Sequence, residues 1–127
     1  MDESTDITVL AVNDNPDHLY LLRAMLGPVG YGVLTAEDGR AAFDLLLRER
    51  VDILVSDVMM PGVDGIKLCR LVRAHPALRS TPILLVSALR KDTRSVVEGL
   101  RAGADDYLEH PFEPSALVAR VARLVER

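Results

Sequence analysis

The chain has 127 residues, of which 49% are hydrophobic and 27% charged, and it carries a net charge of −4. That length and balance fit one globular domain, and the acidic balance argues against nucleic-acid binding by bulk electrostatics. A single cysteine excludes an internal disulfide or a cysteine zinc site, and no apolar run approaches the roughly 20 residues of a membrane helix.

The N-terminus, MDESTDI, is acidic and lacks the apolar segment of a signal peptide, so a cytoplasmic protein is expected, with residues 1–6 a disordered tail and 7–127 the domain. ITVLAV (7–12) reads as the first strand. Asn15-Pro16 then reads as an N-cap and first helical position, opening a helix with Leu19, Leu22 and Leu26 on one face. VLTA (33–36) is the second strand, and Ala42, Leu45 and Leu46 mark the second helix. DILVS (52–56) is the third strand, followed by a glycine-shaped loop that Asp64 ends and by a helix facing inward with Ile66, Cys69 and Val72. PILLVS (82–87) is the fourth strand. The fourth helix is expected to bury Val96, Val97 and Leu100 and to stop at Gly103. DYLE (106–109) is the fifth strand, and Leu117, Val121, Leu124 and Val125 form the stripe of the last helix.

Five strands alternating with five helices predict a doubly wound parallel sheet, a flavodoxin-like α/β domain. The runs at 7–12, 52–56 and 82–87 are apolar throughout, as central strands should be, and the other two suit edges. That gives the order 2-1-3-4-5.

Ligands of such sheets bind beyond the carboxyl ends of the strands. Those ends carry Asn13 and Asp14 on strand 1, Asp57 on strand 3, Ser87 on strand 4 and His110 on strand 5. Asp14 and Asp57, on adjacent strands, would repel each other unless a cation compensates. A hard divalent ion such as Mg²⁺ does so with few carboxylates and several waters, leaving positions for phosphate oxygens. Asp57 can then act as a nucleophile toward phosphorus, with the Ser87 hydroxyl donating to a phosphoryl oxygen and Ala88 leaving room. Elsewhere, His18 and His75 read as solvated, Cys69 as a core residue, and Asp105 and Asp106 as a polar lead-in to strand 5.

The chain resembles response-regulator receiver domains over nearly its whole length. The pieces that carry the resemblance are VND at strand 1, DILVSDVMMPGVDG at strand 3, ILLVSA at strand 4 and AGADDYLEHPF at strand 5. Their spacing is family-like, with 43 residues from Asp14 to Asp57, 30 to Ser87 and 23 to His110. The resemblance implies that Asp57 is the phospho-acceptor and that Asp14 is the main acidic ligand of Mg²⁺ or Mn²⁺. It implies that Asp57 and the Met59 backbone carbonyl share that ion. Ser87 would be the switch hydroxyl and Tyr107 the switch aromatic. The donor would be a phosphohistidine on a histidine kinase or phosphotransfer protein, and helices 4 and 5 the surface of a homodimer. Such a domain is no enzyme beyond its own phosphoryl transfer and dephosphorylation.

Two positions depart from the family. His110 stands where the family has lysine, and Asn13 replaces the first residue of an acidic pair. Histidine is shorter and its charge is conditional, so weaker coupling to Tyr107 and a pH-sensitive switch are expected. Asn13 still offers a neutral oxygen to the metal, directly or through water. The His110–Pro111 bond is expected to be cis. Met59 and Leu89 are apolar and cannot position an attacking water, which implies slow autodephosphorylation. The rival reading is a degenerate receiver that docks or dimerises without phosphorylation. A phosphatase or flavin protein of similar fold lacks support, because no second aspartate follows Asp57 by two residues and no glycine-rich phosphate loop follows strand 1.

Overall fold

A computed structural model describes residues 6–60, 62–87 and 93–126, with the side chains of 93–95 excepted; Ala88 and Leu89, and most of the expected tail, lie outside this set. Five parallel strands form one sheet: β1 (Thr8–Val12), β2 (Gly32–Ala36), β3 (Ile53–Asp57), β4 (Ile83–Ser87) and β5 (Asp106–Glu109). Their order is β2-β1-β3-β4-β5, as the apolar runs predicted. The helices are α1 (Pro16–Leu26), α2 (Gly39–Arg48), α3 (Gly65–Ala74), α4 (Thr93–Ala102) and α5 (Pro114–Val125). A single 3₁₀ turn at Gly27–Val29 extends α1.

The helix starts follow from their caps. The Asn15 side chain accepts the Asp17 N–H with Pro16 at the first position, Asp38 accepts from Ala41, and Asp64 accepts from Lys67. Gly103, at φ +116°, takes the left-handed turn that ends α4.

The central strands are apolar throughout because alternate residues serve two cores. Leu10, Val12, Leu54 and Leu85 face the layer of α2, α3 and α4, together with Cys69 and Val72. Val9, Ala11, Ile53, Val55, Leu84 and Val86 face α1 and α5, where Leu22, Leu26, Leu117 and Val121 close over them. Helix α4 departs from expectation: among its described side chains Gly99 and Ala102 are the buried ones, Val96 is half-buried, and Val97 and Leu100 are 40% and 46% exposed. A glycine at 99 lets the helix lie close, since a Cβ there would come 2.7 Å from Leu85 Cδ1.

His75 is not simply solvated. It caps α3, its Nδ1 accepts the Ala77 N–H, and its ring meets Phe43 edge-on at 6.0 Å. Asp105 likewise does more than lead into β5. It pairs with Arg73 at 2.9 Å, and the same guanidinium donates to the carbonyls of Gly103, Arg79 and Thr81.

Candidate functional site

The carboxyl ends of β1, β3, β4 and β5 form one rim, and the chain geometry at each end fixes what it presents. At β1 the Asn13 N–H donates to the Ala36 carbonyl, which extends the ladder to β2 by one residue. The Asn13 side chain is buried, and its Oδ1 accepts the Asn15 N–H at 2.9 Å, so it braces the turn into α1. Asp14, the next residue, is exposed.

At β3 the ladder also runs past the strand, with the Val58 N–H bonded to the Val86 carbonyl. Asp57 is therefore held rigidly, and it is buried at 7% exposure. The Ser56 Oγ donates to the Asp57 carbonyl at 2.9 Å. The loop beyond is drawn back by the Gly65 N–H, which donates to the Val58 carbonyl, so α3 starts against the Asp57 backbone. Met59, in that loop, turns an exposed side chain outward.

Burial pushes the Asp57 carboxyl up to about 6. The N–H groups of Val58 and Met59 oppose the rise by hydrogen bonding, the Asp14 carboxylate adds to it, and His18 counters it. Asp14 and Asp57 thus lie within electrostatic reach of each other. The donors at this rim, Asp14, Asp57 and the Met59 carbonyl, are all hard oxygen atoms, and the Asn13 oxygen, engaged by the Asn15 N–H, is left to reach an ion through water. That set suits Mg²⁺, which keeps several waters and needs no full protein cage. The donor chemistry therefore fits the ion.

Ser87 is buried at the end of β4, and its carbonyl accepts the His110 N–H at 2.7 Å. That bond carries the β4–β5 pairing to the cis His110–Pro111 peptide, which is cis as expected. The His110 ring meets Phe112 edge-on at 5.1 Å. A cavity of about 30 Å³ opens beside it, lined by Asn13, Met25, Val55, Asp57, His110 and Phe112, among others. Asn13, Asp57 and His110 are therefore brought together. Tyr107 lies elsewhere, half-buried against the α2–α4 core with its ring near Gly99.

His18 belongs to this site and is not a solvated helix residue. It lines the same cavity as Asp57, lies 3.3 Å from Asn13 Nδ2 through its Nδ1, and stacks on His110 with centroids 5.7 Å apart. The signal was its place three residues after the N-cap. A first-turn side chain leans back toward the strand end that the helix leaves.

The chain matches the family model described as the response regulator receiver domain over residues 9–122. It is 43% identical over 125 residues to Response regulator MprA of Mycolicibacterium vanbaalenii, covering 95% of this chain and 51% of that protein. Among solved structures it is similar to chemotaxis response regulator CheY4 of Vibrio cholerae, with a TM-score of 0.87 at 33% identity, covering 94% of this chain and 99% of that one. The signal receiver domain of a signal transduction histidine kinase from Syntrophus aciditrophicus also gives 0.87, at 37% identity over 94% and 89% of the two chains. The chain spans about half the length of curated relatives such as MprA and ResD of Bacillus subtilis.

Proposed function

The chain belongs to the response regulator receiver domain family, and from that premise we propose that it accepts a phosphoryl group from a phosphohistidine onto Asp57. The observation that carries this reading is Asp57 itself: a rigidly held carboxylate at the end of β3, sharing its rim with Asp14, Asn13 and His110. Response regulators are phosphorylated by histidine kinases, so a kinase or a phosphotransfer protein is the expected donor.

In the proposed step an ionised Asp57 oxygen attacks phosphorus, and the bond from phosphorus to the donor's imidazole nitrogen breaks. The nitrogen keeps the electron pair and takes up a proton, and Asp57 becomes an acyl phosphate. Asp14, Asp57 and the Met59 carbonyl would hold Mg²⁺ or Mn²⁺, with Asn13 reaching it through water. When bound, such an ion neutralises the charge that gathers on the phosphoryl oxygens. The Ser87 hydroxyl donates to one of those oxygens, and the His110 ring faces the same space in place of lysine. Met59 is apolar and exposed and cannot orient a water, which supports slow autodephosphorylation. Asn13 and His110 both line the cavity beside Asp57 rather than dismantling it, which favours the acceptor reading over a phosphorylation-independent docking module.

The output would pass through Tyr107 to the surface of α4 and α5, where a homodimer would form. The domain would bind neither nucleic acid nor membrane; among the described residues no helix is long and apolar enough to cross a bilayer. The test is incubation with acetyl phosphate and Mg²⁺, read by intact mass. One added phosphoryl group, absent in Asp57→Ala, is the expected result. No addition, with the acetyl donor or with a phosphorylated histidine protein, would overturn the reading.

A further inference from the structure

His18 makes two contacts that cross the rim. Its Nδ1 lies 3.3 Å from the Asn13 amide nitrogen at the end of β1. The Asn13 oxygen is already engaged by the Asn15 N–H, so the amide group faces His18 with its donor, and His18 Nδ1 accepts. On its other side the ring stacks on His110, at 5.7 Å and an interplanar angle of 29°. His110 is in turn bounded by Phe112, whose ring stands at 88° to it. The His110 ring is thus clamped between an imidazole anchored on β1 and an aromatic edge beyond β5. All four residues line the cavity that Asp57 also lines.

We propose that His18 is a positioning residue for phosphoryl transfer, anchored by Asn13 and acting by fixing the His110 ring beside Asp57. The inference rests on the acceptor reading above. A lysine at position 110 would reach the phosphoryl group on a flexible stem. A histidine there has two rotatable side-chain bonds and reaches less far, so its N–H serves only if the ring is held in one orientation. The stack with His18 supplies that hold.

The experiment compares phosphorylation rates at saturating acetyl phosphate with Mg²⁺ in the native protein, His18→Ala, His110→Ala, the double variant and His18→Phe. His18→Ala should slow uptake by about tenfold, as loss of a supporting contact commonly does. His18→Phe keeps the stacked ring and should recover most of the native rate. In the His110→Ala background, removing His18 should cause no further loss, because the ring it holds is gone. Thermal unfolding of each variant checks the fold, and if His18→Ala does not fold, His18→Leu, which fills the space without a stacked ring, replaces it in both the single and the double variant with the same expected outcomes. Losses that multiply in the double variant, or a His18→Ala rate within about twofold of native, would overturn the inference alone. A native protein that takes up no phosphoryl group overturns it together with the acceptor reading.

Discussion

Burial holds the Asp57 carboxyl at about 6, against 3.8 for an unperturbed aspartate. The native chain therefore binds that proton more tightly than the unfolded chain, and stability contributed by this group is lost as pH rises from about 4 to about 6. Above that window the ionised carboxylate leaves a penalty of about 1–2 kcal/mol, after allowance for water at the open rim. Asp57→Asn should accordingly stabilise the metal-free protein by about that amount at pH 7.5, and the advantage should vanish below pH 4. Urea denaturation at the two pH values checks this, and an equal advantage at both would contradict it. Mg²⁺ should narrow the gap at pH 7.5 by stabilising only the native carboxylate. Gly65 is a second residue with a sharp demand. A Cβ there would run into the Asp57 carbonyl oxygen and come 3.0 Å from Val58 Cα, both backbone atoms that cannot move aside cheaply. Gly65→Ala should destabilise by about 1–3 kcal/mol and slow phosphoryl uptake, because the loop carrying Met59 must shift away from Asp57.

Among the elements, α3 is tied to the far edge of the sheet by one side chain. The Arg73 guanidinium reaches the carbonyls of Gly103, Arg79 and Thr81 and the Asp105 carboxylate, which itself accepts the Ile83 N–H at 2.8 Å. The end of α3, the start of β4 and the α4–β5 turn are thereby joined in a half-buried network. Arg73→Ala leaves three carbonyls and a carboxylate short of a partner and should destabilise by about 2–4 kcal/mol. Since this network sits at the amino ends of β4 and β5, phosphorylation of Asp57 at low temperature should keep its native rate. A rate loss matching that of Gly65→Ala would contradict that separation of edges. Helix α4 lies on the proposed output side. Its open Val97 and Leu100 are the apolar residues a dimer would cover, so Leu100→Arg should abolish any concentration-dependent dimer seen by light scattering, and leave uptake by Asp57 intact.

At the scale of the whole molecule, the sequence made the sheet legible because period and punctuation agreed: apolar runs, Asn15-Pro16, Asp64 and Gly103 each did locally what the fold needed. The strand order followed from which runs were apolar throughout. What escaped was contact between elements. Val97 and Leu100 have the spacing of a core stripe, yet the close approach at Gly99 turns α4 so that small residues face inward. Arg73 carries no motif, and its role depends on three segments meeting. His18 reads as solvated in the sequence because its partners, Asn13 and His110, lie 5 and 92 residues away and meet it only in three dimensions. The rim itself was readable, since the ends of consecutive strands are forced onto one edge. Strand β5 carries a last consequence. Leu108 faces the α1–α5 core while Tyr107 packs toward the α2–α4 core, and the strand runs directly into His110. This four-residue edge strand has a paired neighbour on one side only. It is built like an axle set in a single bearing: a small roll about its own length lifts one side chain as it presses the other down. Any change at the proposed acceptor Asp57 that rolled this strand would therefore move Leu108 and Tyr107 in opposite senses, one in each core.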